Sequence, residues 1–353
     1  MTYPPGPYGY GYPPPPPPPK PGVIPLAPLR VSDLLGGVFS TYGRYWKPLL
    51  GITAIAYGTV AALLGGVALV AYGSVVDNVA RLDDLPDDAD PGFADFQPLI
   101  VTFGTAWLVM IIGMLVAGAL VNATVHTVTQ EAVLGRPALF GAVWRRAWSR
   151  VGAVIGSVFL SGLAAVLPMV LIAIGMVTLI GGLLAQDHGD SGSGVAIAGG
   201  VVMLLALASL PLAVWLWGKF LLAPAAAVIE NQRPVAALRR SAHLVRGSWW
   251  RIAGCTLLMG LILGAVAGMV QQVISFATMI PFGSAIADDP HHPRHFFTAM
   301  WGVFLTVGLI QLVVQALMAP LQPLMTSLLY IDQRIRKENL APALAESAGT
   351  PLA

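Results

Sequence analysis

Between Glu230 and Arg251 the chain carries one carboxylate, five arginines and a histidine within twenty-two residues, closing on the pair Trp249-Trp250 before the last arginine. In a water-soluble helix that density of cation and indole would suit a nucleic-acid backbone. The other side chains able to do chemistry are scattered. Asn122, His126 and Lys219 fall inside long apolar runs, and "DDPHHPRH" (288–295) gathers two aspartates and three histidines. Imidazole and carboxylate are zinc ligands, but a structural zinc site needs four of them on a folded frame. Two prolines argue against a helical His-x-x-x-His face, so a solvated loop is expected there. No glycine-rich phosphate loop, zinc-protease helix or nucleophile elbow is present. The single cysteine, Cys255, allows neither an internal disulfide nor a cysteine metal site. The expectation is no catalytic residue, no metal and no cofactor.

What must position these residues follows from composition. Of 353 residues 56% are hydrophobic and 10% charged, with mean hydropathy +0.74, against about 25% charged in soluble domains. Most of the apolar surface must therefore face lipid. Six runs reach the roughly 20 residues that a crossing needs: 48–76, 99–129, 151–184, 195–229, 252–282 and 296–330. Segments 1–47, 130–150, 230–251 and 331–353 hold four, five or three Lys and Arg apiece, sixteen of the nineteen in the chain. The alternate loops are acidic, with seven aspartates from Asp77 to Asp95. Basic residues stay on the cytoplasmic side, so the expectation is a plasma-membrane protein with both termini cytoplasmic and no cleavable leader.

In this frame the arginine-rich stretch is a short cytoplasmic connection entering the fifth span. Leu238, Ala242, Val245 and Trp249 share one helical face, which predicts a helix lying in the membrane interface, not one on nucleic acid. Trp46, Trp148, Trp249 and Trp250, with Arg239, Arg240, Arg246 and Arg251, are the expected interface anchors. The construction recurs. "PLRVSDLLGGVFSTYGRYWKPLLG" precedes span one and "RPALFGAVWRRAWSRVGAVIG" span three, as "RPVAALRRSAHLVRGSWWRIAG" precedes span five. The reading is an all-α polytopic bundle of three repeated units, each an in-plane helix plus a transmembrane hairpin. Aligning Arg136-Pro137 with Arg233-Pro234 sets Asn122 opposite Lys219. The even spans outrun the bilayer, and Pro211, Pro224, Pro320 and Pro323 predict kinks in spans four and six.

Two readings of the buried polar residues stay open. Asn122, His126, Lys219 and Glu230, with Gln271, Gln272, Gln311 and Gln315, could line a cytoplasm-facing cavity that takes an anion through Lys219. Alternatively Lys219 snorkels to the headgroups and the amides bond between helices. The second is preferred, because nothing in the sequence makes them converge. Gly156 and Gly181-Gly182 are read as close-packing positions. Residues 1–27, rich in Pro, Gly and Tyr, and residues 341–353 are expected to be disordered tails around a membrane domain of 28–340.

Three patches, "VSDLLGGVF" (31–39), "VIENQRPVAALRRSAHLVRGSWWR" (228–251) and "LLYIDQRIRKE" (328–338), resemble six-span actinobacterial-type proteins related to the membrane domain of glycerophosphoryl diester phosphodiesterases. The resemblance rests on Asp33, on Glu230, on Arg239-Arg240-Ser241, and on Tyr330, Asp332, Arg334, Arg336 and Glu338. It implies an integral membrane protein acting on or alongside lipids. The activity of the separate catalytic domain in such proteins is not expected to carry over, since Leu340 begins a stretch of only fourteen residues. Asn231-Gln232 stands where such proteins place a glycine, which bears on the turn there. The functional expectation is a non-enzymatic scaffold or accessory subunit for envelope or lipid processes. Its partners would be membrane lipids, and a protein met through the proline-rich tail or the cytoplasmic helices. The alternatives are a transporter or channel-like protein and, more weakly, a lipid-modifying enzyme.

Overall fold

The computed structural model describes residues 20–83, 93–187, 192–287 and 293–349. Every regular element among them is an α-helix: α1 (Val31–Arg44), α2 (Trp46–Asp83), α3 (Phe93–Val133), α4 (Phe140–Asp187), α5 (Gly192–Phe220), α6 (Ala223–Ile229), α7 (Pro234–Val245), α8 (Trp249–Ala287), α9 (Pro293–Met318), α10 (Leu321–Glu338) and α11 (Ala341–Ser347). Six stretches are long and apolar enough to cross a bilayer: Trp46–Val70, Ile100–Val133, Val166–Ala185, Ser193–Ile229, Trp249–Met279 and Leu305–Glu338. The protein is an all-α polytopic membrane bundle. α2 packs on α3, α4 on α5 and α8 on α9, and contacts of α3 with α4 and α2 with α9 join the hairpins. Glycine sets the closest of these approaches. A Cβ at Gly182 would lie 2.3 Å from the Ala196 nitrogen, one at Gly199 2.4 Å from that of Leu179, and one at Gly156 2.6 Å from Pro234 Cγ.

Proline breaks two of the even spans. α5 stops at Phe220 and α6 restarts at Ala223 with Pro224 in its first turn. α9 stops at Met318, and α10 follows Pro320 with Pro323 in its first turn. A proline ring lacks the N–H and collides with the carbonyl four residues back, so the helix must restart. Pro211 sits inside α5 without ending it.

The expected in-plane helices are α1 and α7. Their N-caps, Arg30 and Arg233, each precede the first residue of the next span, Trp46 or Trp249, by sixteen residues. The middle one is drawn into its span: α4 runs unbroken for 48 residues, about 72 Å at 1.5 Å per residue. The other two are ended by non-helical backbone, at Tyr45 (φ −113°) and Gly247 (φ +79°), and nothing from Phe140 to Pro168 does the same.

The buried core lies at the end of the bundle where Lys and Arg cluster. The far halves of the spans show their apolar side chains outward, Val70 83% and Val177 71% exposed, as a lipid-facing surface does. At the centre of the basic end stands α10, packed on α1, α3, α6, α7 and α8, with Tyr330, Asp332 and Gln333 fully buried. Two expectations are corrected here. The leading tail does not reach residue 27, since Val23, Ile24 and Leu26 are buried and Val23 N donates to Ala132 O at 3.2 Å. The trailing tail does not begin at 341, since α11 forms and buries Ala345. Apolar side chains within the Pro- and Ala-rich flanks supply the burial energy that composition averaging hides. Residues 1–19, 84–92, 188–191, 288–292 and 350–353 lie outside the described residues. With them go the proline-rich tail, the centre of the acidic loop and most of the histidine cluster.

Candidate functional site

α6 ends at its C-cap Glu230, and Asn231 then adopts φ +62°. Asparagine tolerates this left-handed conformation better than other non-glycine residues, so the turn is made without the glycine. Arg233 and Pro234 start α7 directly afterwards, and the reversal brings Glu230 against α7 and α10. Arg240 Nε donates to both Glu230 oxygens, at 2.9 and 3.0 Å, and its Nη2 to Oε1 at 2.8 Å. Gln232 Nε2 donates to Oε2 at 2.8 Å, and the Tyr330 hydroxyl donates to Oε1. Arg240 Nη2 also reaches Glu338 Oε2 at 2.8 Å, while Arg334 Nε bonds that oxygen at 2.9 Å and lies 3.6 Å from Glu230. Partial burial works against charge on Arg240, but its bonds to Glu230 and Glu338 outweigh that and hold its pKa above the ordinary value.

Two residues on from Tyr330 along α10, a second group centres on Asp332. Its Oδ1 accepts from Leu29 N at 2.8 Å, and Arg336 Nε donates to Oδ1 and Oδ2 at 2.9 and 3.0 Å. Arg251 Nη2, from the first turn of α8, donates to Oδ2 at 3.2 Å. Arg336 Nη2 reaches Leu29 O at 2.8 Å, and Arg251 Nη2 bonds the same carbonyl. One carboxylate thereby ties the segment before the first crossing to the start of the fifth and the end of the sixth.

The helix breaks are splinted by α1, α7 and the start of α8. Ser241 of α7 accepts from Leu222 N at 3.2 Å and donates to Lys219 O at 2.9 Å, so it satisfies both backbone groups freed between α5 and α6. Tyr42 of α1 donates to Leu317 O at 2.9 Å beside the α9–α10 break. Trp249 Nε1 donates to Trp215 O at 3.1 Å, its ring seated where a Cβ on Gly218 would collide. Such groups must be satisfied internally at bilayer depth.

Between the breaks is a cavity of about 760 Å³, walled by α2, α3, α4, α5, α6, α8, α9 and α10, whose polar side chains are Asn122, Ser161, Gln315, Gln322 and Thr326, with Tyr57 alongside.

The family described as a domain of unknown function, DUF7847, matches residues 62–330. The chain belongs to that family. No curated protein and no solved structure matches it. The DUF7847 match includes Glu230, Arg240, Ser241, Arg251 and Tyr330 and stops two residues short of Asp332. Their partners Leu29, Asp332, Arg334, Arg336 and Glu338 lie beyond it.

In this DUF7847 member the four residues of the expected cavity do not converge. Asn122 lines it. His126 is fully buried with neither nitrogen bonded. Lys219 Nζ sits 4.5 Å from the centre of the Trp215 ring, and Glu230 belongs to the ion cluster. Among the anchors, Trp46, Trp148 and Trp250 are exposed at 51%, 56% and 84%, and Arg239 and Arg246 are exposed too. Arg240, Arg251 and Trp249 instead turn inward. Asp33 Oδ2 accepts from Arg30 N at 2.8 Å and holds the first turn of α1. Of the motif residues, Glu230, Arg240, Tyr330, Arg334 and Glu338 form one bonded group and Asp332 with Arg336 a second, while Ser241 serves the α5–α6 break, Asp33 caps α1 and Arg239 stays exposed. Leu29, Gln130 (donating to Ile229 O at 3.2 Å) and Gln322 went unnoticed in the sequence. For Gln322 the signal was its position between two prolines; for a backbone partner such as Leu29 there was none.

Proposed function

We propose that this protein is a non-enzymatic accessory or scaffold subunit of the plasma membrane, with both termini cytoplasmic, serving envelope or lipid-linked machinery. The observation that carries the reading is on the lipid-facing surface. Gln271 and Gln272 of α8 and Gln311 of α9 are exposed, and none has a side-chain hydrogen bond among the described residues. Exposed apolar residues flank them on both sides, Met269 and Val273 on α8 and Leu309 and Val313 on α9. An amide in hydrocarbon is costly without a partner, and a second protein helix supplies one. The basic end agrees with such a role, since its ion pairs satisfy one another and leave no reactive group poised. The likeness to the membrane domain of glycerophosphoryl diester phosphodiesterases fits a place beside lipid chemistry. A photocrosslinking amino acid at Gln272 or Gln311, in intact membranes, is expected to yield a protein adduct of defined mass. Adducts to lipid alone at both positions would end the proposal.

A second reading, transport, is favoured by one feature: the two proline-broken spans are equivalent elements of units two and three and both wall the cavity. Reconstituted vesicles should then show a flux that falls when Asn122 is replaced by leucine; vesicles silent for every solute tried would retire this alternative.

A further inference from the structure

A space of about 760 Å³ lies among six spans and opens to the bundle surface past Val158, Trp217 and Gly264, so a lipid has a way in. The size of the space is that of a small-molecule site, about 300–1,000 Å³. Its chemistry is narrow. No Lys, Arg, His, Asp or Glu lines it. Lys219, the nearest in sequence to its wall, is engaged with Trp215. The polar side chains have mostly spent their donors on the bundle itself. Asn122 Nδ2 bonds Gly118 O at 2.8 Å, Ser161 Oγ bonds Val158 O at 3.0 Å, Thr326 Oγ1 bonds Pro323 O at 3.0 Å, and Gln322 Nε2 bonds Thr256 O at 3.2 Å. What remains is uncharged and of both kinds: the Asn122, Ser161 and Thr326 oxygens as acceptors, and as donors the second N–H of Asn122 and the Gln315 amide, which makes no side-chain hydrogen bond among the described residues.

We propose that the cavity is a binding site for an uncharged lipid alcohol, such as a diacylglycerol or a polyprenol. Its hydroxyl donates to the Asn122 oxygen and accepts from the Gln315 amide, and its chains fill the apolar remainder. An anionic headgroup is disfavoured, because no cation lines the cavity to neutralise it. The site stands whether or not the protein also serves as a subunit or moves solute.

Two glycines make the test clean. Gly118 and Gly264 both line the cavity, and a Cβ built on either meets nothing within 4 Å, so Gly118→Leu and Gly264→Leu fill the space without breaking a helix contact. Gly268 is equally open but lies off the cavity, and Gly268→Leu is the control. The full chain in nanodiscs would be irradiated with a diacylglycerol carrying a diazirine in one acyl chain, and separately with phosphatidic acid carrying the same chain. The expected result is diacylglycerol label on peptides containing Asn122 and Gly264, falling by about tenfold or more in both filled variants and unchanged in Gly268→Leu. Cavity peptides left unlabelled in the natural protein, labelled equally in the filled variants, or labelled more strongly by phosphatidic acid would overturn the proposal.

Discussion

Replacing Asp332 with alanine is expected to destabilise the basic end of the bundle more than any other single substitution at a charged residue. The carboxylate has no solvent exposure and takes hydrogen bonds from Leu29 N, Arg336 and Arg251. Its removal leaves the Leu29 N–H buried without an acceptor and sets two guanidinium groups beside each other. Breaking a buried pair costs about 3–5 kcal/mol. Arg251 and Arg336 keep 31% and 33% of their side-chain surface in solvent, so water recovers part of the loss and the expected cost is about 3 kcal/mol. Asp332→Asn keeps an acceptor for Leu29 N and should cost about half as much. Heating detergent-solubilised protein and following the monodisperse fraction by size exclusion ranks the three. Equal midpoints for natural protein and Asp332→Ala would show that this ion group contributes nothing.

The second large effect is expected at Glu230. Its side chain is 16% exposed and accepts from Arg240, Gln232 and Tyr330, joining the end of α6 to α7 and α10. Glu230→Gln preserves the shape but cannot accept a forked guanidinium on two charged oxygens. The expected loss is about 2 kcal/mol, in the range for hydrogen bonds to charged groups. Arg240→Met alone should cost a similar amount, because Glu230 and Glu338 then lie close with only Arg334 between them. In the double variant the losses should not add, and the shortfall measures the pair itself. Full additivity would mean that the contact carries no coupling. Surface ion pairs contribute about 0–1 kcal/mol, so a clear shortfall also separates this cluster from solvated charge.

Much of the architecture could be read before any coordinates. Run length and hydropathy place six crossings on α2, α3, α4, α5–α6, α8 and α9–α10, and the prolines at 224, 320 and 323 mark where two of them break. Both depend on nearest neighbours along the chain, so local sequence carries them. The left-handed turn after Glu230 belongs to the same class, since Asn231 is a residue type able to take it.

What tertiary structure alone decided is where each charge goes. Arg239, Arg240, Arg246 and Arg251 look alike as a basic stripe, yet two face outward and two pair with the half-buried Glu230 and the buried Asp332. Helical spacing says which residues share a face but not which helix that face meets. The bond from Leu29 to Asp332 closes across 303 residues, a pairing that no local pattern records. The fate of His126, Lys219 and Glu230 turned on the same point: three polar residues in apolar surroundings met three different neighbours, and only Asn122 reached the cavity. Burial of a charge depends on the partner that folding delivers to it, and in this bundle those partners come from opposite ends of the chain.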